Sequence, residues 1–96
     1  MKKIAADRNY RMFKRAQEEA PVVIFVTGLQ FMGTNQISIR AVSQTGEILW
    51  TKGFRGKEDK INEAKEYIAT LKQKYPNTKI DTKELQAPLT PEMLGL

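Results

Sequence analysis

Residues 36–54 read QISIRAVSQTGEILWTKGF, and residues 57–75 read KEDKINEAKEYIATLKQKY. In the first stretch Ile37, Ile39 and Ala41 alternate with Gln36, Ser38 and Arg40, the period of a strand with one wet face. Ser43-Gln44-Thr45-Gly46 makes the turn, and 47–54 is the return strand. Tight hairpin loops of two or four residues place Ile48, Trp50 and Phe54 on the side of Ile37 and Ile39, and Ser38, Arg40 and Thr51 on the other. In the second stretch Ile61, Ala64, Ile68, Leu71 and Tyr75 fall at helical spacing. Glu58 and Asp59 open that helix, Lys72 and Lys74 close it in the sense the helix dipole favours, and Pro76 stops it. A helical stripe facing an alternating strand face predicts a two-layer core.

Upstream, Val22–Thr27 is a run of β-branched and aromatic residues, read as a strand covered on both faces or nearly so. Gly28–Asn35 is read as a glycine-bracketed loop carrying Leu29, Phe31 and Met32. Residues 2–20 predict an amphipathic helix ended by Pro21, with Ala5, Ala6, Tyr10, Met12, Phe13, Ala16 and Ala20 on one broad side. Downstream, 78–82 offers a short edge strand around Ile80. From Glu84 the chain becomes a proline-broken tail with Leu85, Leu89, Met93 and Leu94 as spaced apolar anchors. Thr90-Pro91-Glu92 suits one helical turn, with Thr as cap and Pro in the first position. The expectation is an α+β fold, order α-β-β-β-α, with an antiparallel three-stranded sheet, room for a fourth strand, one domain over 1–83 and a tail over 84–96.

The chain has 96 residues, no cysteine and no histidine. Disulfides, zinc–thiolate sites, thiolate nucleophiles and imidazole bases are therefore excluded. No apolar run approaches the ~20 residues needed to cross a bilayer, and no signal-peptide pattern follows the basic start. A cytoplasmic, non-membrane protein is the expectation, with no metal or other cofactor. Sixteen basic residues against eleven acidic ones give a net charge of +5, which favours anionic partners. The segment G-x-x-x-x-G at 28–33 is followed by Thr34 where a phosphate-binding loop requires Lys, so triphosphate binding is rejected.

Arg8, Arg11 and Arg15 stand at i, i+3 and i+7, with Lys14 beside them, so one helix face presents a line of cations suited to phosphates. Arg40 on the wet strand face, and Lys57 and Lys60 near the start of the second helix, complete the candidate nucleic-acid-binding set. The plainer reading of these residues is ordinary solvated surface. A second candidate set is apolar: Phe31 and Met32 on the loop, and Leu89, Met93 and Leu94 on the tail, as contacts to a protein partner or a second copy. The functional expectation is a small, basic, non-enzymatic accessory protein that binds nucleic acid. The alternative is a protein-binding module or inhibitor, homodimeric in one version.

The order helix–strand–strand–strand–helix over residues 3–75 resembles the double-stranded-RNA-binding domain. That family opens its second helix with K-K-x-A-K, of which Ile61-Asn62-Glu63-Ala64-Lys65 holds the Ala-Lys half. The resemblance implies the layout alone. Residues 22–82 also resemble the first half of a ribonuclease-H-like fold, strand–strand–strand–helix–strand. Glu63 and Asp81 would stand for two of the carboxylates its metal chemistry needs, but Val22–Thr27 supplies no acid for the first strand, so two-metal catalysis is not expected.

Overall fold

A computed structural model of the chain describes residues 20–96. The first predicted helix, and with it Arg8, Arg11, Lys14 and Arg15, lies outside the described residues. The elements are strand β1 (Val23–Phe31), strand β2 (Thr34–Val42), strand β3 (Ile48–Gly56), helix α1 (Glu58–Lys74), strand β4 (Lys79–Asp81) and a 3₁₀ turn at Pro91–Leu94. Of the two layouts considered from the sequence, strand–strand–strand–helix–strand describes residues 23–81.

The fold is α+β, but the sheet is four-stranded and mixed rather than a three-stranded antiparallel one. Its order is β3-β2-β1-β4, antiparallel from β1 to β3, with β4 parallel to β1. The reason is length and direction. A 17-residue helix is about 25 Å long. It retraces a nine-residue strand of about 30 Å. The chain leaves β3 at one edge, crosses the sheet as α1 and starts β4 at the other edge, heading the way β1 and β3 head.

The predicted loop at 28–35 is a correction. β1 runs on through Gly28 to Phe31, and a two-residue turn, Met32-Gly33, leads straight into β2. Both turn residues have positive φ, 51° and 78°. That handedness suits the right-handed twist of paired strands, which is why so short a turn can close a nine-residue hairpin.

One face of the sheet is sealed. Ile24, Val26, Ile37, Ile39 and Ala41 from β1 and β2 meet Ile61, Ala64, Ile68 and Leu71 from α1, all buried. Direct strand pairing of Ile37 with Phe54 and of Ala41 with Trp50 puts both aromatics on this side, as the hairpin parity requires. Tyr67 of α1 packs edge-on against Trp50 (5.9 Å between centroids, 79° between planes) and tilted against Phe54 (5.6 Å). Desolvation by this packing raises the Tyr67 pKa, against a smaller opposing effect of Lys74.

Ile48 is the second correction. The register slips between Ala41 and Val42, so Val42 pairs with Ile48 rather than Leu49. An extra residue on one strand turns the side chains beyond it to the opposite face. Ile48 therefore stands on the unsealed side and is 57% exposed.

The tail belongs to the same core. Leu85 forms a parallel bridge with Gly28, the Gln86 amide donates to the Gly28 carbonyl at 2.8 Å, and Leu89 and Leu94 are 4% and 2% exposed. Thr90 caps the 3₁₀ turn by accepting from the Met93 amide, and Pro91 takes its first position. Gly28 makes this docking possible. A Cβ there would sit 3.0 Å from Leu85 Cδ1, 3.2 Å from Leu89 Cδ1 and 3.2 Å from the Gln36 carbonyl oxygen.

Two substitutions test this packing. Ile68→Ala should lower stability by about 2–4 kcal/mol, read as a fall in the urea midpoint at constant slope. Gly28→Val should cost about 1–3 kcal/mol by overpacking, and removing residues 84–96 from that variant should abolish most of the further penalty. An unchanged midpoint in either single variant would show that the stripe or the tail packs elsewhere.

Candidate functional site: the open face of the sheet

The pairing that seals one face lays out the other. Across the strands, Thr51, Arg40, Phe25 and Asp81 form one row; Gly53, Ser38 and Thr27 form the next; Arg55, Gln36 and Leu29 form a third. At the far end Ile48, Val42, Val23 and Lys79 make a fourth row, three of its four side chains apolar. No helix or strand among the described residues covers this side. Arg40, Gln36, Arg55 and Thr51 are exposed, and Val23, Phe25, Thr27, Ser38 and Val42 are half-buried.

The polar rows form a trough. Its larger part encloses about 710 Å³ between β1, β2 and β3, with Lys83, Glu84 and Gln86 of the tail along one wall. Gly53 lies in its floor, where the missing side chain leaves room. A smaller part, about 270 Å³, continues past Phe25, Thr27, Ser38 and Arg40. Three cations, Arg40, Arg55 and Lys83, thus line a path shared with hydroxyl and amide groups, the rings of Phe25 and Phe54, and the acid Glu84, with a second acid, Asp81 of β4, beside Phe25 in its row.

Among the described residues, the sequence-predicted cations Arg40, Lys57 and Lys60 are not brought together. Arg40 is in the trough. Lys57 lies just before α1, with Nζ 3.5 Å from the carbonyl of Gly33 in the hairpin turn. Lys60 is on the helix side and forms an ion pair of 2.7 Å with Glu63, whose hydrogen bond and charge raise the Lys60 pKa. An exposed pair of this kind adds little to stability. It does place a carboxylate beside one of the cations intended for phosphate.

The apolar set divides as well. Phe31 and Met32 project from the hairpin tip, 64% and 85% exposed, while Leu89 and Leu94 are buried in the chain's own core and Met93 is 40% exposed. Leu89 and Leu94 are thus withheld from any partner. Glu63 and Asp81 are separated too. Glu63 is on the solvent side of α1, whereas Asp81 lies in the Phe25 row and accepts from the Lys83 amide at 2.9 Å. Among the described residues no three His, Cys, Asp or Glu side chains cluster as a metal site, and no helix is long and apolar enough to span a membrane.

The sequence reading missed Phe25, Arg55, Gln36 and Lys83. Arg55 and Gln36 were within reach, because each is one step from a residue assigned inward, Phe54 and Ile37. Phe25 was hidden because Val23, Phe25 and Ile24, Val26 are all apolar, so β1 shows no alternation. Lys83 required knowing that the tail runs beside β1.

Comparison with protein-family models, with curated proteins and with solved structures returned no match.

Met32 holds φ at 51° in the first turn position, where Asn and Gly are at ease and a long side chain is strained. Met32→Asn should raise stability by up to about 1 kcal/mol. A lower thermal midpoint in that variant would mean that Met32 makes contacts that outweigh the strain.

Proposed function

We propose that this chain is a small, non-catalytic protein that binds nucleic acid as a single strand, laid along the trough of the open sheet face. The observation that carries the reading is the pairing of Arg40 with Phe25 in the middle of that face. An aromatic ring gives a base a surface to stack on, and a neighbouring guanidinium gives its phosphate a counter-charge. Arg55 and Lys83 extend the cationic path, and Thr27, Ser38 and Gln36 supply hydrogen-bonding groups along it.

The net positive charge is spread unevenly along the chain. Residues 20–96 hold ten basic and eight acidic residues, whereas 1–19 hold six and three. The body is close to balanced, so affinity for a polyanion rests on local arrangement in the trough and on Arg8, Arg11, Lys14 and Arg15 of the N-terminal segment.

A second reading, docking to a protein, is favoured by the hairpin tip. Phe31 and Met32 are large, apolar and exposed, and Met32 keeps a strained backbone conformation at a position remote from the core.

The test is anisotropy of a labelled single-stranded oligonucleotide, DNA and RNA in parallel, across a salt series. The wild-type affinity should fall with salt, and an Arg40→Gln, Arg55→Gln double variant should bind more weakly, with the log–log slope flattened by about 1.4. In the same mixture with Mg²⁺ the oligonucleotide should stay intact. Salt-insensitive binding, wild-type affinity in the double variant, or cleavage lost on Glu63→Gln or Asp81→Asn would each overturn the proposal.

A further inference from the structure

The smaller part of the trough, about 270 Å³, is lined by Phe25, Thr27, Ser38, Arg40 and Glu84. That volume lies just below the range of pockets for drug-sized ligands and is on the scale of a single base. Charge is divided across it. In the row of Thr51, Arg40, Phe25 and Asp81, the guanidinium stands on one side of the ring and a carboxylate on the other. The tail continues the line of β4, since both Leu85 and β4 pair parallel with β1. Glu84 therefore joins the acidic side, while Lys83 lines only the larger part.

A cation in this place suits a polyanion, but a carboxylate repels phosphate. Glu84 is nevertheless held there. The Lys83 amide donates to Asp81 Oδ1 at 2.9 Å, the Leu85 amide to the Thr82 carbonyl at 3.1 Å, and the Gln86 amide to the Gly28 carbonyl at 2.8 Å. Backbone bonds on both flanks fix the turn, and Leu85 beside it packs against the core. Asp81 is thus engaged with its own loop. Among the described residues, neither an ion pair nor a side-chain hydrogen bond engages the Glu84 carboxylate.

We infer that this pocket reads guanine, with Glu84 accepting from N1–H and the N2 amino group of a base stacked on Phe25. The inference rests on the single-strand reading above and adds a base preference to it. An ionised carboxylate only accepts, and its two oxygens lie side by side. Of the nucleic-acid bases, guanine alone presents two adjacent donors on its Watson–Crick edge. Adenine and cytosine set an acceptor nitrogen beside their amino group, and thymine and uracil flank a lone N–H with carbonyls. Each of these would turn a lone pair toward the second carboxylate oxygen. Thr27 and Ser38 line the same pocket and supply hydroxyl donors for guanine O6. Arg40 stays with the phosphate on the other side of the ring, so backbone and base are held by separate groups.

The experiment uses the full chain and labelled oligothymidylates that differ only in one central base: thymine, adenine, cytosine, guanine, or hypoxanthine, which lacks the N2 amino group. By anisotropy at fixed salt, the guanine strand should bind about tenfold more tightly than the thymine, adenine and cytosine strands, with hypoxanthine between them. Glu84→Gln turns one acceptor into a donor. It should erase the guanine preference and leave affinity for the thymine strand unchanged or raised. Glu84 is exposed, so the urea midpoint should stay in place. Equal binding of all the strands by the wild type, or a guanine preference kept in Glu84→Gln, overturns the inference. The trough reading survives either result if Arg40→Gln with Arg55→Gln still weakens binding of the thymine strand. No binding of any strand overturns both.

Discussion

The contact on which the rest depends is the seating of Ile61, Ala64, Ile68 and Leu71 on Ile24, Val26, Ile37, Ile39 and Ala41. Each buried Ile or Leu contributes roughly 1.5–3 kcal/mol before ordering costs. Among the described residues there is no second core to compensate for its loss. The same contact fixes direction. A helix laid along the sheet to make it must start at the β3 edge and end at the β4 edge, so the parallel pairing of β4 with β1 follows from the packing rather than from anything in β4, which is three residues long.

Sealing one face with a single helix leaves a gap where β1 runs beyond β4, and the tail fills it. At Gly28 the strand has no side chain, and Leu85 and Leu89 close over the space this leaves. The 3₁₀ turn then brings Leu94 into the core near Ile68, and the Gly95 carbonyl lies 3.5 Å from Lys72 Nζ on the helix. The last thirteen residues thus do for the long end of β1 what α1 does for the centre of the sheet. Because they run beside β1, they also raise the wall of the trough through Lys83, Glu84 and Gln86. Core completion and site formation are one event in this fold.

What was legible in the sequence is what had a period. The α1 stripe and the alternation of β2 each state their buried face, and the structure buries Ile61, Ala64, Ile68, Leu71, Ile37, Ile39 and Ala41 accordingly. What was not legible depended on contacts without local signature. The slip between Ala41 and Val42 moves Ile48 to the open face, and nothing in GEIL announces it. Met32 does not read as a hairpin-turn residue, so a nine-residue hairpin reads as a loop with strands on either side. Of the candidate site, Arg40 was legible because its strand alternates. Its partner Phe25 was not, because Val23, Ile24 and Val26 around it in β1 are all apolar.

The same asymmetry singles out the open face. A sheet facing water needs only polar side chains there, and rows of Thr, Ser and Gln would serve. This sheet instead places an aromatic ring beside a guanidinium at its centre, three apolar side chains at one end, and a second arginine at the other. Exposed apolar residues scattered singly require no explanation, but residues paired across adjacent strands form a continuous patch, and patches mark surfaces that meet something. The polar and apolar ends ask for different things. The side chains of Val23, Val42 and Ile48 have no hydrogen-bonding groups to offer a polyanion, and the row of Arg55 and Gln36 offers an apolar surface little.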